Sequence, residues 1–368
     1  MKRTALYSRH VEAGAKMAEF AGWLMPIRYS GVLKEHAAVR HDAGIFDASH
    51  MGEILVEGGG AADFVNGLVT NDVSKLQTGH TIYTVICNGD GGILDDLLVY
   101  RLDRSRYMLV VNASNSEKDF KWIASHAESR PVEVKDASDS FALIALQGPK
   151  ALQVFGKLLK IPDSFGYHTF YETRLEGADL IVSRTGYTGE DGVEIYLKPE
   201  KAPLLWDALL DAGKDFGLLP AGLAARDLLR IEAGYPLYGH ELDEETDPLS
   251  AGLKWAVKMD KRNFIGKSAL AALKPGKKKI GLCMEGRSVP RQGYPIIMDG
   301  EKAGVITSGT FSPVLQKPIG IGYIALGKNW DKNRLRPGQK ISVEIRGQEA
   351  AAQICRMPFV EPHTARKK

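Results

Sequence analysis

The chain has 368 residues, of which 44% are hydrophobic and 25% charged, with 48 Lys and Arg against 45 Asp and Glu. At about 150 residues per domain this is room for roughly two to three domains, and a net charge of +3 is too even for a protein that coats nucleic acid or membrane surface. The three cysteines, Cys87, Cys283 and Cys355, lie far apart with no CxxC, which argues against a disulfide framework and a cysteine metal site.

No apolar run nears the ~18 residues of a membrane span. The opening MKRTALYSRHVEAGAK has no apolar segment after its basic residues, so the expectation is a cytoplasmic protein, or a mitochondrial matrix protein in a eukaryote. Leu33 to Ala43 reads as a helix, Gly52 to Glu57 as a strand and Ala61 to Leu68 as a helix. Tyr83 to Cys87, Ile93 to Tyr100 and Tyr107 to Val111 read as a three-strand antiparallel meander. Asn88-Gly89-Asp90-Gly91-Gly92 and Leu102 to Ser105 form its turns. Lys150 to Leu159 and Pro203 to Gly213 read as helices, the second with Leu205, Trp206, Leu209 and Leu210 on one stripe. Leu180 to Arg184 and Val193 to Leu197 read as strands around a Gly-rich loop, and Ala221 to Ala233 as a helix. Lys274 to Lys279 reads as a basic, solvated linker. Six short strands follow at 280–284, 294–298, 304–308, 319–325, 340–345 and 350–355, the spacing of a small β-barrel.

Three constellations carry chemistry. Side chains alternate along a strand, so Asp95 shares a face with Ile93, Leu97 and Val99, and Asp96 with Leu94, Leu98 and Tyr100. Both faces are apolar. A carboxylate placed there either finds a partner or takes up a proton, which suits proton chemistry or holding a cationic nitrogen. The alternative is that both residues cap a turn before a strand that becomes regular at Leu97. The second constellation is Arg184 to Gly192. Its glycines let backbone approach a ligand, Tyr187 offers a flat face, and Glu194 with Tyr196 points away from Val193, Ile195 and Leu197. An ionised Glu194 can accept two hydrogen bonds from a donor edge such as an amino-pyrimidinone; the alternative is a tight hairpin with a polar exposed face. The third is Arg226, Asp227 and Arg230, either a solvated helix face or, just after Pro220-Ala221-Gly222, a ligand contact.

Other motifs fail on spacing. Gly266-Lys267-Ser268 lacks the leading glycine of a phosphate loop, because that position is Lys261. There is no HExxH, His36 and His41 are five apart, and neither GxGxxG nor GxSxG occurs.

The order of segments resembles the T-protein family of the glycine cleavage system, the tetrahydrofolate-dependent aminomethyltransferases. The resemblance runs through FAGWLMPIRYSG, FDASHMGE, CNGDGGILDDLLVY, SRTGYTGEDGVEIY, PAGLAARDLLRIEAGYPLYGHEL and GVITSGTFSPVLQKPIGIGY. It implies an α+β fold, a three-domain cloverleaf of mixed antiparallel sheets with a small C-terminal β-barrel. A folate-binding core of two intertwined subdomains would span residues 1–273 and the barrel 280–360. It implies Asp96 as the key carboxylate near the reacting folate nitrogens, with Met51, Tyr83, Asn112, Tyr187, Glu194 and Arg226 lining the folate site. Some relatives add a Tyr near the C-terminus; PFVEPHTARKK has none. The implied reaction passes the methylene of an aminomethyl group, carried on the lipoyl arm of the H-protein, to tetrahydrofolate. Ammonia and 5,10-methylenetetrahydrofolate are the products. Neither metal nor flavin is required, and no nucleic-acid or membrane partner is implied. Two alternatives keep the folate site: a folate-dependent demethylase, and a non-catalytic folate-binding module, whose KGC-type cysteine signature is missing here.

Overall fold

The computed structural model describes residues 1–327 and 333–364. Two sheets form the body. The larger has six strands in the order Phe170–Leu175, Ala178–Ser183, Gly192–Leu197, Ala142–Gln147, Ala43–Asp47, Leu218–Pro220. The smaller has five in the order Thr81–Cys87, Ile93–Arg101, Arg106–Val111, Gly52–Glu57, Glu133–Asp136.

Each sheet buries its outer face under helices. Val193, Ile195 and Leu197 pack with Phe155 of helix Ala151–Gly156 and with Leu205, Trp206 and Leu209 of helix Ala202–Ala212. Ile54, Val56, Leu97 and Val99 pack with Phe64, Val65 and Leu68 of helix Ala61–Leu68 and with Ile123 of helix Ser116–Ser125. The inner faces meet through Tyr100, Met108, Val110, Leu143, Phe170 and Tyr196, and the Tyr100 and Tyr196 hydroxyls share a hydrogen bond of 3.0 Å. The alternation expected for Val193 to Leu197 therefore holds: the odd positions face helices and Glu194 and Tyr196 face the other sheet.

The six C-terminal strands close into a barrel. Its first strand, Lys277–Met284, pairs with both Lys317–Ala325 and Gln348–Cys355. The basic run 277–279 is thus part of a strand, not a solvated linker. Lys277 Nζ donates to Thr246 Oγ1 at 2.7 Å and Lys278 Nζ to the Leu335 carbonyl at 2.9 Å. The same pairing brings Cys283 and Cys355 together as a disulfide across 72 residues, where the sequence argued against a disulfide framework. Spacing along the chain cannot reveal a contact made by barrel closure.

The meander forms as expected, with Ile93–Arg101 in its middle. A bulge opposite Ile93 and Asp95, between Ile86 and Cys87, breaks the alternation at its start. Leu94 joins Leu97 and Val99 under the helices, and Ile93 packs with Val85, Cys87 and Leu270 in a separate cluster. The turn before it needs glycine twice: Gly91 has φ +89°, and a Cβ on Gly92 would stand 1.7 Å from the Glu244 carbonyl oxygen. Strands Ala43–Asp47 and Ala142–Gln147, inside the larger sheet, were not expected, nor were the hairpin Lys16–Phe20/Trp23–Arg28 and helix Ser116–Ser125. Among the described residues no helix is long and apolar enough to cross a membrane.

Buried charge ties these parts together. Arg40 of helix Val32–His41 donates to Glu190 at 2.7 Å and to Glu232 at 2.8 Å. Glu232, the last residue of helix Leu223–Glu232, also meets His36 at 2.8 Å and accepts from Ser312 of the barrel. His363 of the C-terminal tail contacts Glu190 at 2.9 Å. Breaking a buried pair leaves a charge uncompensated. Arg40→Leu is expected to lower the unfolding free energy by about 3–5 kcal/mol in chemical denaturation. Arg174→Leu, which removes an exposed pair with Asp179, is expected to leave the midpoint where it was.

Candidate functional site

The inner faces of the two sheets present the candidate site residues to one another. The middle strand of the meander carries Asp95 and Asp96, and the backbone and side chain of Asn112, just past strand Arg106–Val111, hold both. Asn112 N donates to Asp95 Oδ2 at 2.9 Å. Asn112 Nδ2 lies 2.9 Å from Asp95 Oδ1, 2.9 Å from Asp96 Oδ1 and 3.0 Å from the Asp96 carbonyl. Tyr83, directly across from Leu98 on the neighbouring strand, donates its hydroxyl to Asp96 Oδ2 at 2.9 Å. Asp95 is sealed, whereas Asp96 keeps part of its surface open. Both residues lie inside strand Ile93–Arg101, past the turn, so the turn-capping alternative is excluded.

Burial, and then the charge of Asp95, raise the Asp96 carboxyl to about 7, against the hydrogen bonds from Tyr83 and Asn112. That value lets it exchange a proton near neutral pH. The Tyr83 hydroxyl is pushed up by burial and by Asp96, so it stays a donor.

On the facing sheet, Glu194 accepts from the Thr185 hydroxyl, and burial raises its carboxyl. Tyr187 donates to the Pro236 carbonyl, and its ring lies under the Arg226 guanidinium at 4.8 Å. Arg226 Nη1 is buried and donates to no protein acceptor. A buried guanidinium nitrogen without an acceptor costs free energy until something supplies one. Met51 packs with the inter-sheet cluster of Tyr100, Val110 and Tyr196. Asp96, Tyr83 and Asn112 thus form one contact group, and Tyr187 and Arg226 another. The charge of Asp96 reaches Tyr187, and that of Glu194 reaches Arg226.

Two expectations change. Gly186 and Gly192 do not approach a ligand: a Cβ on either would stand 1.9 Å from Gln147 Oε1 or 2.2 Å from the Leu146 carbonyl, so they serve close packing on the adjacent strand. Arg226 and Arg230 do not form a solvated face. Arg230 is buried, bonded to Glu241 at 2.7 Å and to Ser308 of the barrel at 2.7 Å.

Sequence reasoning missed several neighbours. His50, adjacent to Met51, is buried with Nδ1 unpartnered. Burial and then the Arg226 charge push it down to about 4, which keeps the ring neutral. Trp255 is 54% exposed and stacks on Tyr83 at 5.3 Å. Asn115 donates to Asp95 Oδ1 at 2.6 Å, and Asp119 is buried beside it. Asn112, Asn115 and Asp119 are three and four apart, a helical-face signal that the reading of this stretch overlooked. The open groove on the barrel near Arg291, Tyr294 and Arg346 includes none of these residues.

Comparison with known proteins agrees along the whole length. Residues 6–261 match the GCVT N-terminal domain and residues 277–361 the Glycine cleavage T-protein C-terminal barrel domain. The aminomethyltransferase of Halothermothrix orenii is 48% identical over 98% of this chain and 100% of its own. That of Thermotoga neapolitana is 46% identical over 98% of each. The crystal structure of the glycine cleavage system aminomethyltransferase T from Bartonella henselae superposes with a TM-score of 0.91, at 37% identity over 99% of both chains. The mixed fold, the closed barrel and these matches agree, and the chain belongs to the glycine cleavage T-protein family, the aminomethyltransferases.

Proposed function

We propose that this aminomethyltransferase takes its one-carbon unit from an aminomethyl group on the lipoyl arm of the H-protein and passes the methylene to tetrahydrofolate, in the cytoplasm. The observation that carries the folate reading is the unpartnered Arg226 Nη1, on a guanidinium that lies over the Tyr187 ring and within the field of the Glu194 carboxyl. A pterin has what these groups lack: a carbonyl for the guanidinium, an amino edge for the carboxylate, and a flat face for an aromatic ring. Met51 adds apolar contact, and Tyr83 and Asn112 position Asp96. The bound folate supplies nucleophilic nitrogens that accept the methylene as ammonia leaves.

The reacting nitrogen attacks with its lone pair and must then give up its N–H proton, so that proton needs an acceptor, and cationic species along the way need a nearby anion. Asp96, raised to about 7, is placed to serve as either. Neither alternative donor class is favoured by an observation in the fold.

Asp96→Asn is expected to fold and to lose about 10²-fold or more in turnover, followed as ammonia and methylenetetrahydrofolate. A near-wild-type rate removes Asp96 from the mechanism. In wild type, kcat is expected to rise with pH along a limb near 7, as the carboxyl ionises. The same group has a stability signature. A carboxyl raised on folding contributes stability that is complete below its unfolded value and lost as pH rises through about 7. Asp96→Asn is therefore expected to melt above wild type at pH 8, with the advantage shrinking toward pH 4.

Arg226→Ala is expected to raise the folate Kd by roughly 10- to 100-fold, the worth of a hydrogen bond to a charged donor, with little change in melting temperature. Calorimetry settles it; unchanged affinity refutes the assignment. Association with an acidic H-protein is expected to slow as salt rises, because exposed charges are screened. A salt-independent on-rate contradicts that docking mode.

A further inference from the structure

Behind Asp96 lies a second layer of acid that the proposed chemistry does not use. Asp95 and Asp119 are both buried, 0% and 2% exposed, with their carboxyls in hydrogen-bonding reach of each other. Two ionised carboxylates cannot share such a place, and one must carry a proton. The donors around them decide which. Asp95 accepts from Asn112 N, Asn112 Nδ2 and Asn115 Nδ2, at 2.9, 2.9 and 2.6 Å. Asp119 Oδ2 is buried and receives no donor. Burial raises the Asp95 carboxyl, but its three N–H donors oppose that rise, whereas Asp119 Oδ2 has no donor to do so, so Asp95 is the better-held anion of the two.

We propose that Asp119 is a positioning residue: it remains protonated, donates its hydrogen bond to Asp95, and keeps Asp95 a fixed anion that holds Asn112 and sets the field on Asp96.

The surrounding groups are consistent with one proton at this place. Lys118, next to Asp119 on helix Ser116–Ser125, turns away: its Nζ donates to the Leu94 carbonyl at 2.8 Å and the Tyr238 hydroxyl at 3.0 Å, and pairs with Glu244 at 3.3 Å. From the neighbouring strand Tyr83 faces Asp96. From the Arg184–Gly192 loop Tyr187 senses it, and from the barrel strand Lys279 does. None of them donates to Asp119. The three carboxylates do not converge as a metal-ligand set. Burial, and then the charge of Asp95, push Asp119 up to about 10, in the same direction as the geometry.

Asp95 acts on Asp96 in two ways. Its charge raises Asp96, and its hold on Asn112 aims the amide that Asp96 shares. If Asp119 loses its donor, Asp95 takes up a proton more readily. The like charge beside Asp96 then weakens, and Asp96 ionises at lower pH. The inference rests on Asp96 being the titrating group of the proposed reaction, so one test is made independent of turnover.

In the infrared difference spectrum of wild type minus Asp119→Asn, full-length protein at pH 8, one protonated-carboxyl band is expected; subtraction removes the contribution of buried Glu53, which burial also raises. No protonated-carboxyl band in that difference overturns the proton assignment. In the pH profile of kcat, Asp119→Asn keeps a neutral donor toward Asp95 and is expected to leave the limb where wild type has it. Asp119→Leu is expected to move it down by about one unit or more. If Asp119→Asn shifts the limb as far as Asp119→Leu, or neither shifts it, Asp119 does not act through Asp95. Should Asp119→Leu not fold, the infrared band and the Asp119→Asn profile still decide. A turnover of Asp96→Asn equal to wild type would instead sink the reaction assigned to Asp96, leaving the infrared result for Asp119 intact.

Discussion

Charge taken out of water must be met by partners, and helix Leu223–Glu232 is where most of that matching occurs. Three of its residues face three different parts of the molecule. Arg226 turns toward the facing sheet and the Tyr187 ring. Arg230 reaches Glu241 and the barrel at Ser308. Glu232 gathers His36, Arg40 and Ser312. The barrel is held to the sheets through these pairs as well as through Ile231, Ile319 and Ile321. Apolar burial supplies cohesion without direction; a bonded guanidinium with a carboxylate also fixes geometry, because its fork accepts few arrangements. One helix therefore sets both the seating of the barrel and the placement of the one guanidinium in this group that finds no acceptor.

The site is built on the opposite rule. Glu232 and Glu241 are surrounded by donors that hold them below the ordinary carboxylate range despite burial. Asp96 and Glu194 receive fewer donors and rise instead. The same side-chain type thus serves as a tie between elements in one place and as a candidate site group in another, and its neighbours make the difference: Arg230 holds Glu241 down and His36 and Arg40 hold Glu232 down, whereas the charge of Asp95 adds to burial in raising Asp96. A carboxyl raised in this way carries a stability cost once it ionises.

What could be read from residue order follows from what is local. The meander, the helices at 61–68 and 202–212, and all six barrel strands are marked by apolar periodicity and by glycine turns, and they form where those marks stand. Strands Ala43–Asp47 and Ala142–Gln147 escaped because they are buried on both faces; every residue of each is buried, so no alternation marks them. The pair Asp95 and Asp96 is conspicuous because carboxylates in an apolar strand are, but only the family resemblance singles out Asp96 of the two. Arg230 is marked in the sequence only as part of a solvated face or a ligand contact, because its partners Glu241 and Ser308 come from a loop and from the barrel, and a helical wheel holds neither. Asp119 was hidden the same way: its meaning lies in Asp95, on another element.

The stack of Trp255 on Tyr83 has one more consequence. The indole is more than half exposed, yet its stacking partner donates directly to Asp96. The protein thus carries an exposed native fluorophore beside the candidate site. Its emission colour and intensity respond to whatever displaces solvent there, so occupancy can be followed by light without a label being attached.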